Sequence, residues 1–169
     1  MAFTMLGPEA AETHIDDLAP LLGTPFGPGE WHEVDEELFD EFSDVTGDHA
    51  WYHVDRERAL AELPGGKTIA HGLLTLALVP ALYIQVFRLG HPGRGLNYGY
   101  DKLRFIAPVR AGDRIRITAV PSEITQHARG RVVRVGLTVE IERDAQIALV
   151  ADQLLFVFSE AELEQADTD

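Results

Sequence analysis

Residues 69–87 read IAHGLLTLALVPALYIQVF, without a single Asp, Glu, Lys or Arg. A helix that is apolar around its whole circumference has to be covered on every side. The run approaches membrane-spanning length, but it holds His71, Pro80 and Gln85 and has no basic flank on its N-terminal side. It therefore reads as a buried central helix and not as a membrane span. Its cover follows in the sequence. Beyond Gly90 the period changes from helical to alternating. Val133, Val135, Leu137, Val139 and Ile141 alternate with Arg134, Gly136, Thr138, Glu140 and Glu142, and Ile115, Ile117 and Ala119 alternate with Arg114, Arg116 and Thr118. These are strands with one wet face. Residues 147–158 form a last strand, apolar on both faces. Three or four long strands after the helix and one before it give an α+β fold, an antiparallel sheet curled around a central helix.

Leu96, Tyr98 and Tyr100 fall on even positions and Leu103 and Phe105 on odd ones, so a bulge is expected near Asp101 and Lys102. Upstream, residues 9–22 read as a short amphipathic helix with Ile15, Leu18, Leu21 and Leu22 inward, followed by a Gly/Pro linker over 23–29. Trp31 to Val34 is the strand before the helix. Asp35 is placed to cap a helix over Glu36–Thr46 that buries Leu38, Phe39, Phe42 and Val45, and Gly65-Gly66 breaks the chain before the central helix. The expected organisation is an N-terminal helix and linker over 1–28, one domain over 29–158, and a frayed acidic tail over 159–169. No internal repeat suggests a second copy of the domain.

Just before the central helix stands FSDVTGDHAWYHVDRERALA, residues 42–61. It places a carboxylate, Asp48, near an imidazole, His53. Residues five apart on a continuous helix point about 140° away from each other, and on a strand they face opposite sides. The two cooperate only if the chain leaves regular structure between them. Gly47, directly after an amphipathic run, is the usual helix stop and supplies that irregular segment. Downstream, His71 and Gly72 open the apolar helix, a candidate anion-binding end. Taken singly, Asp48 reads as a loop or capping aspartate and His53 as a buried histidine bonded to backbone. Asp55 reads as the cap of the segment that begins at Arg56.

At 169 residues the chain suits one compact domain. Its formal charge is −14, and residues 1–55 hold 14 of the 28 acidic residues and no Lys or Arg. Such a field disfavours nucleic acid and anionic membrane as partners. A polyanionic ligand would need a local basic patch, for which Lys67, Lys102, Arg104 and Arg110 are available; each taken alone reads as solvated charge. The absence of cysteine excludes disulfides and thiolate chemistry. No signal peptide is visible, which makes a cytoplasmic location the expectation.

TGDHAWYHVD with Ala61 after a short spacer, IAHG opening an apolar helix, Asn97-Tyr98-Gly99, and Arg104-Phe105-Ile106-Ala107-Pro108-Val109 resemble the MaoC-like dehydratase and (R)-specific enoyl-CoA hydratase family, in its nodulation-protein-N-like branch. The resemblance runs from about Trp31 to Phe158. Where the family motif typically has Asn-Pro between its catalytic residues, this chain has Ala50-Trp51, a departure that bears on substrate range. The resemblance implies a hotdog fold that pairs as a homodimer, and reversible hydration of a trans-2-enoyl thioester on CoA to the (R)-3-hydroxyacyl form, with no cofactor and no metal. Asp48 and His53 would hold the attacking water, and the Gly72 N–H, beside His71, would bind the thioester oxygen. Asn97 and Tyr98 either line the acyl pocket or serve packing, and Trp51 is placed to narrow an acyl tunnel.

Other readings lead elsewhere. Asp48, His49, His53 and Asp55 together offer ligands suited to zinc or iron. Hotdog thioesterases commonly carry a catalytic carboxylate on the central helix, where residues 72–87 have none. A catalytically silent hotdog that binds acyl thioesters, or acts as a partner subunit, would need neither Asp48 nor His53.

Overall fold

The computed structural model describes residue 10 and residues 12–90 and 95–159. Strand β1 (Glu12–His14) opens the described chain, followed by single 3₁₀ turns at Ile15–Asp17 and Ala19–Leu21. The continuous helix expected over 9–22 is therefore absent from its described part. Pro20 at the start of the second turn lacks the N–H that a helix needs, and β1 takes extended pairing instead. Ile15 and Leu18 do point inward, fully buried in the main core, whereas Leu22 is exposed. The segment expected as a linker is stitched to the sheet: the N–H groups of Gly23, Phe26 and Gly29 donate to the carbonyls of Pro121, Ala119 and Ile117. Gly27 runs along the same strand at φ +104°, where a Cβ would lie 2.8 Å from the Ile117 oxygen.

Strand β2 (His32–Val34) leads into α1 (Glu36–Thr46), one-turn α2 (Trp51–Val54) and α3 (Arg56–Glu62). The central apolar run forms two short helices, α4 (Gly72–Ala77) and α5 (Val79–Tyr83), where one was expected. Pro80 is the reason: it donates no hydrogen bond, and its ring opposes the carbonyl one turn earlier. Leu74, Val79 and Leu82 are buried as anticipated, but Leu73 is 61% exposed, so the cover is incomplete on one side.

Strand β3 (Arg88–Gly90) pairs in parallel with β1. The long strands β4 (Gly95–Phe105), β5 (Asp113–His127), β6 (Gly130–Ile141) and β7 (Gln146–Phe158) join β2 in a five-stranded antiparallel sheet of order β2-β5-β6-β7-β4. The alternating residues of β5 and β6 face the core, with Ile115, Ile117, Ala119, Val133, Val135, Val139 and Ile141 fully buried. The expected irregularity in β4 falls between Asp101 and Arg104, with Lys102 at φ +50°, and a second register shift lies between Asn97 and Gly99. The acidic tail from residue 160 lies outside the described residues. No helix among the described residues is long and apolar enough to cross a membrane.

Candidate active site

Local chemistry builds the loop that carries Asp48 and leads to His53. Asp35 caps α1 by accepting from the Leu38 N–H at 3.0 Å, and Gly47 ends it at φ +76°, its N–H donating to the Ser43 carbonyl. Thr46 Oγ1 donates to Phe42 O and accepts the Asp48 N–H, and Asp48 Oδ1 accepts the Ala50 N–H at 3.3 Å. That last bond is an Asx turn, which redirects the chain into α2. Asp48 thus sits on the irregular segment, but His53 stands on the single turn of α2, its N–H bonded to the Ala50 carbonyl. Asp55 caps α3 by accepting the Arg58 N–H at 2.9 Å.

The turn of α2 points His53 inward, 7% exposed, with Nδ1 2.6 Å from the Ile69 carbonyl. A carbonyl only accepts, so Nδ1 carries the hydrogen and Nε2 keeps its lone pair. Burial lowers the His53 pKa below the usual 6.5; the Ile69 carbonyl offsets part of that, while His71 lowers it and Asp48 raises it. A neutral imidazole with a free Nε2 is a base ready to accept a proton. His71 stacks on this ring at a centroid distance of 3.6 Å and an angle of 25°. Its Nε2 lies 2.9 Å from the Asp48 carbonyl and 3.3 Å from Ser43 Oγ.

Gly72 is the first residue of α4, so its N–H has no partner inside the helix. The approach to it is rigid. Ile69 N–H donates to Tyr52 O, Ala70 N–H to Val109 O and Ala111 N–H to Thr68 O, which clamps residues 68–70 between α2 and the entry to β5. Asp48, His53, His71 and Gly72 are therefore one constellation. Asp48 is solvent-exposed and both imidazoles are buried, as a site open to a ligand from one side requires.

Other expected site residues lie elsewhere. Asn97 donates to Tyr100 Oη at 3.0 Å, and Tyr98 is 63% exposed beside Phe156. Both sit seven or eight residues along β4 from Phe105, the strand's contact with Gly72, roughly 20 Å away. The Trp51 ring lies under the Arg58 guanidinium at 4.1 Å, turned toward α3, because positions two apart on a helical turn diverge. The basic residues form no common patch. Lys67 donates to Ala111 O beside an open cleft of about 570 Å³ lined by Asp35, Glu36, Glu37, Asp40 and Arg56. Lys102 pairs with Asp152 at the β4 bulge, and Arg104 donates to the Leu103 carbonyl.

The proposed four-ligand set is not assembled either. His49 is exposed 3.9 Å from Asp44, and Asp55 is occupied as a cap. Asp48, His53 and His71 each bring a potential ligand atom within 4.8 Å of the others. Stacked imidazoles, however, run their in-plane lone pairs side by side, whereas an ion needs them to converge. Sequence reasoning missed Ser43 and its bond to His71. The available signal was a serine on the apolar face of α1, four residues after Phe39, where a buried hydroxyl needs a partner.

The MaoC like domain family matches residues 17–142. The chain belongs to the MaoC-like family. It is 42% identical over 142 residues to 3-hydroxyacyl-thioester dehydratase Z of Mycobacterium tuberculosis, covering 83% of this chain and 93% of that protein. To nodulation protein N of Rhizobium leguminosarum bv. viciae it is 38% identical over 148 residues, 86% and 92% of the two chains. Among solved structures, the R-hydratase PhaJ1 of Pseudomonas aeruginosa in its unliganded form superposes with a TM-score of 0.65 at 24% identity, over 82% of this chain and 83% of that one. The fold of this MaoC-like chain is accordingly the hotdog, and its class that of the hydro-lyases.

Proposed function

We propose that this MaoC-like protein reversibly hydrates trans-2-enoyl-CoA thioesters to (R)-3-hydroxyacyl-CoA. The observation that carries the reading is the His53–Ile69 hydrogen bond, which leaves Nε2 with its lone pair on a ring that has a nitrogen within 4.8 Å of the Asp48 carboxylate and stacks on His71, the residue before Gly72. Water held between Asp48 and His53 Nε2 gives up a proton to the pair as its oxygen bonds to C3 of the enoyl group. The C2=C3 electrons move onto the thioester, and the Gly72 N–H donates to the enolate oxygen that develops. The proton held on the pair then passes to C2, so water has added across the double bond and the pair is restored. Side chains and backbone supply every group, and no cofactor enters a step.

Homodimerisation through β4 belongs to the same reading. Among the described residues this 11-residue strand is the long edge of the sheet, and Leu96, Tyr98, Phe105 and Ile106 are exposed on or beside it. An open edge of that length with that much apolar surface calls for a partner, and Leu73, which follows the Gly72 that Phe105 contacts, is 61% exposed.

The test is loss of enoyl absorbance with crotonyl-CoA and with a longer trans-2-enoyl-CoA, for the native protein and for Asp48→Asn and His53→Gln. The expected result is turnover by the native protein and a fall on the order of 100-fold or more in both variants. No turnover on either substrate, or a rate indifferent to both substitutions, overturns the reading. Release of free CoA thiol would instead indicate thioester hydrolysis.

A further inference from the structure

His71 is 4% exposed, sits between α1, the Asp48 loop and α2, and is not required as a proton carrier in the hydration step. Among the described residues, four groups face it. Ser43 Oγ and the ring of Phe42 come from α1, the Asp48 carbonyl from the loop, and the His53 ring from α2. The Asp48 carbonyl accepts, so the hydrogen is on Nε2; Nδ1 is buried without a hydrogen-bond partner among the described residues. One imidazole thus joins the main chain of the acid to the side chain of the base.

We propose that His71 is the positioning residue of the site: its Nε2–H latches the Asp48 loop to α1, and its ring is the floor on which His53 stacks. This rests on Asp48 and His53 being the acid/base pair. Without the latch, the hydrogen bonds that Asp48 itself keeps among the described residues are those to Thr46 and in the Asx turn, both at 3.3 Å and both on exposed groups. The carboxylate would then wander relative to a base fixed separately by Ile69. A misplacement of about 1 Å is enough to slow chemistry on the order of 100-fold. At 4% exposure the His71 side chain offers almost no surface for a substrate to touch. The latch should therefore show in kcat and not in KM. His71 also contributes to keeping the neighbouring imidazole neutral, because a second partial charge face to face with it disfavours protonation.

Three substitutions separate the latch from the floor. His71→Gln places an amide nitrogen where Nε2 stands and keeps the bond to Asp48 O. His71→Phe keeps a ring under His53 and removes the donor, and His71→Asn is too short to reach. The expected result is kcat within about tenfold of the native protein for His71→Gln, a fall on the order of 30-fold or more for His71→Phe and His71→Asn, and KM within about threefold throughout. In His71→Phe the acid limb of kcat/KM moves to higher pH, and ¹⁵N NMR of the His53 ring shows the same displacement without relying on turnover. Native kcat in a folded His71→Phe or His71→Asn overturns the inference, as does a loss in His71→Gln as deep as in the other two. If His71→Phe does not fold, the Gln and Asn variants decide by the same criteria. Asp48→Asn and His53→Gln run alongside separate the two failures. If those two are active, the acid/base reading has failed; if they are inactive while His71→Asn is fully active, only the positioning role has.

Discussion

The ring of Phe105 on β4 rests on the α-carbon of Gly72, so closely that a Cβ built there would lie 3.0 Å from two of its ring carbons. This contact joins the edge strand to the start of α4 and fixes where the first helical N–H points. Gly72→Ala forces one of the two apart. Phe105 is 47% exposed, so its ring yields at little cost in stability, but the helix entry shifts with it. The expected outcome is a fall in kcat on the order of 10- to 100-fold with a small change in melting temperature. The double substitution with Phe105→Ala should recover part of the loss. An additive double variant would show that the contact does not position the N–H.

If His53 is the base of the proposed step, its lowered pKa shapes the pH dependence of activity, and in any case it contributes to that of stability. Its base form is present across neutral pH, so kcat/KM should fall on acidification with a midpoint below 6.5. For stability, the unfolded chain binds a proton more readily than the folded one. The contribution is complete above pH 6.5 and is lost as pH falls from 6.5 through the folded-state value. His53→Asn retains a donor toward the Ile69 carbonyl and does not titrate. Urea unfolding at pH 7.5 and at 5.5 should show a larger loss on acidification for the native protein than for this variant.

Asp55 stands two residues from His53 yet serves α3, through its bond to the Arg58 N–H. Asp55→Ala should therefore cost about 1 kcal/mol in denaturant unfolding, the usual effect of losing a helix N-cap. It should leave kcat within about threefold. A deep loss of kcat at native stability would put Asp55 into the chemistry.

Trp51 shows where reading the sequence stops. Its place in the motif suggested a wall of the acyl tunnel, but its ring lies between Arg58 and Tyr52, on the far side of the α2 turn from His53. Trp51→Ala should leave the preference between crotonyl-CoA and longer enoyl-CoA substrates unmoved and lower stability by about 1 kcal/mol through the lost cation–π contact; a change in chain-length profile would restore the tunnel role. The central core, the alternating strands, the α1 caps and the bulge near Lys102 were legible because period, parity and capping chemistry are local. The break at Pro80 was legible in principle and was outweighed by the uniform apolarity around it. The stack of His71 on His53 was not, because it depends on the clamp between residues 68–70 and the β5 entry, a contact that no local pattern announces.

The β4 edge yields the last prediction. Its N–H and C=O groups face outward beyond β7 on one side only, and Leu96 and Tyr98 are 54% and 63% exposed. Leaving that surface in water would make the isolated chain prone to edge pairing, whereas antiparallel pairing of two β4 strands covers both at once. Tyr98→Asp places a charge in such an interface, where burying it without a partner is costly. The core is little disturbed, because Tyr98 is 63% exposed and meets Phe156 at a centroid distance of 5.9 Å. Light scattering should give twice the chain mass for the native protein and the single-chain mass for the variant, with a native circular dichroism spectrum in both. A native protein that scatters as a monomer, or a variant that stays dimeric, would move the interface away from β4.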